Sequence, residues 1–296
     1  MIMPSWNLIV DWQTIFHYSF MRTAFLAGTA MAIMAGVISY FVVLRGMAFA
    51  SHTLANIGFA GAAGAALIGM NLSIGLLAFT VAGALGMGAL GRRLYGNDLV
   101  VGLVLAISLG AGYLFISLYH GYATNLYAIL FGQIVGITWS QVFITFATGI
   151  VSLLAMGLLY RRLLFASLDA ESAEAKGLRV QWLSLAFLVV LGLVIAVALQ
   201  IVGVLLIFAL LVAPAAVAER LTSRPPLAIG LSVLLALFFT WGGLALSFYL
   251  PYPPGSFITT LAFAAYVVVR FGDGLRSLVR HRRKLSAIEQ PEGWAA

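Results

Sequence analysis

Hydrophobic residues run along the chain in long tracts, and the charged positions that interrupt them fall at wide intervals. Five tracts contain no Asp, Glu, Lys or Arg: Thr23–Leu44, Gly46–Gly91, Leu99–Tyr160, Trp182–Ala218 and Pro225–Val269. A helix needs about 20 apolar residues to cross a bilayer. The first tract therefore fits one crossing, and each of the others fits about two crossings at that length. Such continuous apolar runs argue against a membrane β-barrel, whose strands alternate apolar and polar residues.

The pattern predicts roughly nine spanning segments. They are Met21–Val43, Met47–Gly69, Leu72–Leu90, Leu99–Leu118, Ser140–Tyr160, Trp182–Gln200, Ile201–Ala218, Leu227–Leu250 and Phe257–Arg270. Ile201–Ala218 follows its predecessor without a loop, so it also fits one half of a broken helix. Residues 122–137 are too few to span and predict an interfacial or re-entrant segment packed against protein. The predicted fold class is an all-α integral membrane protein, a helical bundle with about eight or nine transmembrane helices.

Composition agrees with a membrane protein and excludes several kinds of chemistry. Of the 296 residues, 63% are hydrophobic and 8% are charged, whereas a soluble domain carries about 25% charged residues. So little charge cannot cover a soluble surface. Cysteine is absent, which excludes disulfides, thiolate metal sites and cysteine nucleophiles. The small residue glycine occurs 31 times, which favours close helix packing within lipid.

The distribution of basic residues predicts the orientation in the cell membrane. Lys and Arg cluster in segments that the segmentation assigns to one side: Arg92 and Arg93, Arg161 and Arg162, Lys176 and Arg179, Arg220 and Arg224, and the tail from Arg276 to Lys284. The loops on the other side carry none. Basic loops stay in the cytoplasm, so the C-terminus is expected there. Nine spans would place the N-terminus outside, and eight would place it inside.

Three regions follow from this reading. Residues 1–20 form an N-terminal interfacial segment, residues 21–270 a transmembrane domain, and residues 271–296 a basic cytoplasmic tail. The net charge of +7 comes from segments between and after the spans. It therefore predicts contact with the lipid bilayer and gives no support for a nucleic-acid partner.

Polar side chains inside predicted spans mark the candidate chemistry, because such groups are costly in lipid. His52 and Asn56 lie four residues apart and share one helix face, with Ser51 and Thr53 beside them. Imidazole is a common ligand of first-row transition metals. Two interpretations stay open: a metal site at His52 and Asn56, or side chains that hydrogen-bond a neighbouring helix. Gln133 is a further polar group that could line a path or bond to backbone at a helix break.

Residues 167–177 differ in character from the rest of the chain. Ala, Glu and Lys favour helix here, and the charges follow the helix dipole, with acids early and a base late. The residues concerned are Asp169, Glu171, Glu174, Lys176 and the helix-ending Gly177. The segment therefore predicts a short amphipathic helix in a cytoplasmic loop. It is either a solvated connector or a surface that docks a partner.

Enzyme chemistry finds no support in the sequence. The phosphate-binding motif Gly-x-x-x-x-Gly-Lys-Ser/Thr is absent. The sequence therefore shows no ATP site in this chain. No nucleophile–base arrangement or zinc-protease motif is present either. We expect a transport subunit without catalytic residues and without a covalently bound cofactor.

Several short motifs occur in a fixed order. They are Phe-Val-Val-Leu-Arg-Gly-Met-Ala-Phe at 41–49, Leu-Phe-Gly at 130–132, the charged segment 169–177, Val-Gly-Val-Leu-Leu at 202–206 with Ala-Leu-Leu-Val-Ala-Pro-Ala-Ala at 209–216, and Pro-Pro-Gly at 253–255. In order and spacing the chain resembles the permease subunits of manganese- and zinc-type ABC importers, from about Phe20 to Arg270.

The resemblance implies a homodimeric or paired permease with an all-helical importer fold, and we expect a homodimer. It also implies a cytoplasmic ATPase, an extracytoplasmic solute-binding protein, and a coupling helix at 169–177 that fits the ATPase. The family usually has Asp and, four residues later, His where this chain has His52 and Asn56. Loss of the carboxylate should weaken Mn²⁺ more than Zn²⁺. The expected substrate is zinc or manganese, with zinc slightly ahead.

Two alternative functions remain open at this point. An ABC importer of the same build could carry a metal chelate or another small solute, which would account for the changed His52 and Asn56 pair. A gradient-driven secondary transporter could use His52 as a proton relay. The absence of acidic residues from the long tracts argues against the second, because ion coupling commonly uses carboxylates.

Overall fold

The computed structural model describes residues 8–90, 98–120 and 129–288, and within these ranges the protein is helical and contains no strand. The helices in chain order are α1 Leu8–His17, α2 Ser19–Leu44, α3 Ala48–Leu67, α4 Leu72–Leu90, α5 Asp98–Leu118, α6 Trp139–Leu168, α7 Ala170–Ala175, α8 Val180–Ile201, α9 Val204–Leu221, α10 Pro225–Tyr249 and α11 Pro254–Ile288. The prediction of an all-α bundle is confirmed.

Eight helices among the described residues are long and apolar enough to cross a membrane: α2, α4, α5, α6, α8, α9, α10 and the first part of α11. The remaining predicted segment forms α3, which has 20 residues. At 1.5 Å per residue that is about 30 Å, the thickness of a bilayer core. Its His, Asn, Ser, Thr and Gly residues make α3 less apolar, and most of its side chains are buried among other helices.

The two most buried spans, α2 and α8, form the centre of the bundle. Around them, α3 packs against α4 and α5, and α10 packs against α2. The α2–α10 contact is close because Gly36 faces the backbone of Val233, where an added Cβ would lie 2.6 Å from the Val233 Cα. The Ser232 hydroxyl donates to the Gly36 carbonyl at 2.9 Å. Small residues thus allow helix backbones to approach, as expected in lipid.

A break at Val202–Gly203 separates α8 from α9, in agreement with the broken-helix interpretation. Gly203 has φ 83° and ψ 166°, a backbone region that essentially only glycine adopts. Its nitrogen faces the segment 129–137, where Gly132 has φ 82° and the Gln133 amide donates to the Ile201 carbonyl at 3.1 Å. This segment therefore packs against the break, as a re-entrant piece should. Residues 122–128 of the predicted segment lie outside the described residues.

Hydrogen bonds identify the two ends of the bundle. At one end Arg45, which follows α2, bonds to Ser167 of α6 and Ser184 of α8. Away from it, Ser73 at the start of α4 donates to Gln200 near the end of α8 at 2.9 Å. Helix α3 begins beside Arg45 and ends just before α4, so it runs the same course as the spanning helix α8. That α3 forms a ninth crossing stays a prediction.

Several helix bounds differ from the predicted spans, for physical reasons. Helix α6 continues beyond Tyr160 to Leu168, because a helix need not end where its apolar surface ends. Helix α11 likewise continues past Arg270 to Ile288, into the region predicted to be a basic tail. Arg92 and Arg93 lie outside the described residues. The division into residues 1–20, 21–270 and 271–296 stays a prediction.

Candidate functional site

His52 lies near the start of α3 and faces α9. Its imidazole is half-buried and packs edge-on against the Phe208 ring, with ring centroids 5.1 Å apart and planes at 63°. The positive edge of one ring against the face of another is a favoured geometry for such pairs. Phe208 therefore fixes the side of the helix to which the imidazole turns.

Asn56 lies one turn further along α3 and contacts His52 through its side-chain amide. Its amide nitrogen donates to the His52 carbonyl at 2.9 Å and lies 3.4 Å from His52 Nε2. Asn56 is buried, with 2% of its surface exposed. The structure thus brings the two predicted site residues into direct contact, as their four-residue spacing indicates.

The other ring nitrogen of His52, Nδ1, is buried and has no hydrogen-bond partner among the described residues. A buried polar atom without a partner costs free energy, and most such atoms in proteins are satisfied. Nδ1 can accept a ligand in the tautomer that carries its proton on Nε2. Metal binding at the pair stays a prediction.

Ser51 and Thr53 flank His52 in sequence but their hydroxyls bond elsewhere. The Ser51 hydroxyl donates to the Ala48 carbonyl at 2.7 Å, and the Thr53 hydroxyl donates to the Phe49 carbonyl at 3.1 Å. Both residues are buried. Neighbouring positions on a helix point about 100° apart, so these hydroxyls do not join the His52–Asn56 pair. Their place on a transport path stays a prediction.

Gln133 lies in an outer cavity that is separate from the His52–Asn56 pair. This outer cavity has a volume of about 500 Å³, and its lining residues are Phe131, Gly132, Gln133, Ile134, Val135, Gly136, Ile201, Val202, Leu206, Pro253, Pro254 and Gly255. It therefore collects three of the sequence motifs around the break between α8 and α9. None of its lining residues is charged.

The segment at 169–177 forms the predicted short helix, α7, at the end of the bundle marked by Arg45. Asp169 caps its first turn, because one carboxylate oxygen accepts from the Ser172 amide at 3.0 Å. The hydrogen bond from the Ser172 side chain, followed by that from its backbone, lowers the pKa of Asp169. Gly177 ends the helix with φ 81°, and its amide donates to the Glu174 carbonyl at 2.8 Å.

Helix α7 presents charge to solvent and anchors itself on the bundle through one buried side chain. Glu171, Glu174 and Lys176 are exposed, whereas Ala173 is fully buried in the main hydrophobic core. The Lys176 ammonium lies 4.9 Å from the centre of the Phe165 ring, a cation–π contact. An exposed charged helix fastened to the bundle has the form of a docking surface. The helix is confirmed, and its docking role stays a prediction.

Two residues near these sites escaped the sequence reasoning. Phe208 and Arg45 touch partners that are far away along the chain, so no local spacing indicates their contacts. In the sequence, Phe208 stands out only as a large aromatic residue within an aliphatic tract. Within the described residues, no three His, Cys, Asp or Glu side chains are grouped so that they could hold a metal ion.

Comparisons with known proteins agree with this architecture. The family profile described as ABC 3 transport family matches residues 17–272. The manganese transport system membrane protein MntC of Listeria monocytogenes is 33% identical over 258 residues, covering 87% of this chain and 89% of that protein. The manganese import system permease protein ScaB of Streptococcus pneumoniae is 29% identical over 232 residues, covering 75% and 80% respectively.

A solved structure extends the likeness to the fold. The structure described as PsaBC from Streptococcus pneumoniae in complex with Fab superposes with a TM-score of 0.78 at 26% identity, over 88% of this chain and 95% of that chain. The resemblance to metal-ion ABC importer permeases is therefore confirmed, as is the multi-pass membrane fold. The family match spans most of the chain, and we conclude that the protein belongs to the ABC 3 transport family.

Proposed function

We propose that this chain is the membrane permease of an ATP-driven importer for a divalent transition metal, and that the metal passes His52. The observation that carries the proposal is the polar pair on α3: His52 Nδ1 is buried without a described partner, and Asn56 contacts the same ring. Intramembrane ionisable residues commonly mark ion pathways. Membership of a transport family supplies the context.

The pair divides the work between a ligand and a residue that orients it. A neutral imidazole binds metal through one nitrogen, and its other N–H then donates to an oxygen that fixes the ring. The Asn56 amide nitrogen lies 3.4 Å from Nε2, so rotation of the Asn56 amide would present its oxygen to that N–H once the metal occupies Nδ1. Two copies of the chain in a homodimer would contribute two such imidazoles. A site without a carboxylate holds the ion loosely, which favours release during transport.

Two observations point to different metals for this permease. The relatives named above are manganese proteins, whereas the donors here are nitrogen and an amide. Carboxylate and water ligands suit Mn²⁺, while imidazole suits Zn²⁺. We propose that the donor set shifts the preference of this permease from manganese towards zinc.

Exchange of the two residues tests that preference directly. The variant His52→Asp/Asn56→His recreates the pattern usual in the family and adds a carboxylate. We expect it to raise Mn²⁺ uptake relative to Zn²⁺ uptake when both ions compete in one assay. The single variant Asn56→Asp adds a carboxylate and leaves His52 in place, so it should raise the ratio in the same direction. An unchanged uptake ratio in both variants would show that these positions do not select the metal.

The partners proposed for the chain are a cytoplasmic ATPase and an extracytoplasmic solute-binding protein. Helix α7 supports the first, because its charged face is exposed at one end of the bundle. The same end is the basic one in sequence, so we place α7 and the C-terminus in the cytoplasm. Nine crossings then put the N-terminus outside. ATP hydrolysis belongs to the partner, since the chain has no phosphate-binding motif of its own.

Co-purification tests the docking role of α7. Reversal of charge in Glu171→Lys should reduce recovery of the ATPase with the permease, because Glu171 lies on the exposed face. Gln133→Lys is the matched control, since it adds a positive charge at an exposed position of the outer cavity. Equal ATPase recovery from the Glu171 variant and the control would refute docking through α7.

A further inference from the structure

Arg45 occupies the turn between α2 and α3. Its amide donates to the Phe41 carbonyl at 3.1 Å, and Gly46, with φ 65°, reverses the chain so that the Met47 amide reaches the Val42 carbonyl at 2.8 Å. Helix α3 starts one residue later, and His52 follows within its first two turns. A displacement of Arg45 therefore moves the start of the helix that carries the candidate metal site.

The Arg45 side chain ties this turn to two other helices. One guanidinium nitrogen, Nη1, donates to the Ser167 hydroxyl at 3.2 Å, and the other, Nη2, donates to the Ser184 hydroxyl. The guanidinium carbon lies 5.6 Å from the centre of the Phe187 ring. The planar fork of arginine suits two acceptors at once, whereas a lysine ammonium is a single compact charge. We call this set of contacts the Arg45 clasp.

The two hydroxyls lie on either side of helix α7. Ser167 belongs to the last turn of α6, and Ser184 belongs to the first turns of α8. Between them, α7 is fixed to the bundle by the buried Ala173, and the Leu178 amide closes its C-terminal turn by donating to the Ala173 carbonyl at 3.0 Å. A force on α7 is therefore passed to the helix ends that Arg45 holds.

We propose that Arg45 is the positioning residue that transmits movement of α7 to the start of α3, and so to His52. The inference rests on the proposed function, because it assumes that an ATPase moves α7. Three links connect the docking surface to the site. The chain joins α7 to the ends of α6 and α8, hydrogen bonds join those ends to Arg45, and the turn at Arg45 leads into α3. Rigid helices joined by hydrogen bonds can carry such coupling.

The test measures metal transported per ATP hydrolysed. The permease, assembled with its ATPase in proteoliposomes and supplied by its binding protein, is given Zn²⁺ or Mn²⁺ as the probe. For Arg45→Gln we expect ATP hydrolysis to continue while metal moved per ATP falls roughly tenfold, within the usual range of coupling between sites. The double variant Ser167→Ala/Ser184→Ala removes the two acceptors, leaves Arg45 in place, and should give the same fall.

Arg45→Lys separates transmission from simple anchoring of the helix end. It keeps the charge but cannot bridge both hydroxyls, so we expect an intermediate ratio with normal yield of folded protein. If Arg45 only stabilises the fold, hydrolysis and transport fall together and the ratio stays at the wild-type value in all three variants, which would overturn the inference. Failure of the wild-type complex to couple uptake to ATP would instead overturn the proposed function and the inference together.

Discussion

Gly203, at the break between α8 and α9, offers a test of the architecture by a single methyl group. A Cβ added there would lie 2.4 Å from the Gly132 nitrogen and 2.7 Å from the Leu130 carbonyl oxygen. These neighbours are backbone atoms, which cannot rotate away as a side chain could. Gly203→Ala therefore forces the segment 129–137 away from the break.

The expected cost combines two contributions. Alanine at φ 83° and ψ 166° carries backbone strain of about 1–3 kcal/mol, and overpacking against fixed atoms adds about 1–3 kcal/mol. The total is about 2–6 kcal/mol. Gly69→Ala is the matched control, because Gly69 also has positive φ, at 72°, but nothing lies within 4 Å of its added Cβ. The control therefore carries only the backbone cost, about 1–2 kcal/mol.

Thermal unfolding of the two variants in the same detergent measures the difference. At roughly 2–4 °C per kcal/mol for a chain of this size class, Gly203→Ala should melt about 10 °C below wild type, and Gly69→Ala should melt only a few degrees below it. Equal melting temperatures for the two variants would show that the segment 129–137 does not press against Gly203. The re-entrant packing would then be wrong.

Two further predictions concern the coupling segment and the bundle core. The Ser172 hydrogen bonds lower the pKa of Asp169. Its cap therefore stabilises α7 fully above the ordinary carboxyl pKa, and this stabilisation is lost as the pH falls through the lowered pKa. Amide hydrogen exchange in α7 should speed up over that pH range, and Asp169→Asn should abolish the pH dependence. Gly36→Ala should destabilise the protein by about 1–3 kcal/mol, because its Cβ would meet Val233. Gly230→Ala on α10 is the control, since nothing lies within 4 Å there, and equal melting of both variants would refute the close α2–α10 contact.

The helices themselves could be predicted because each span carries its own signal. Apolar length identified eight of them, and the absence of a loop before Ile201 indicated the helix break there. Helix α3 was predicted from length despite its polar residues, which the structure explains by burial among α4, α5, α8 and α9. Charged residues at 169–177 predicted α7 because they follow the helix dipole.

The contacts between distant helices could not be predicted in the same way. The spacing of His52 and Asn56 sets their contact, since both lie on one helix. By contrast, Phe208 reaches His52 and Arg45 reaches Ser184 only through the packing of separate helices. The helical period determines which residues share a face, but it does not determine which helix that face meets.

Metal uptake by whole cells tests the central claim most directly. Cells lacking their own metal importers would express the chain with its ATPase and binding protein, as wild type and as His52→Ala, and their elemental content would be compared. The account predicts a rise in one divalent metal that requires both His52 and a working ATPase, with equal amounts of permease in the membrane. Equal uptake by the His52→Ala variant, or no rise in any metal from an intact complex, would contradict it.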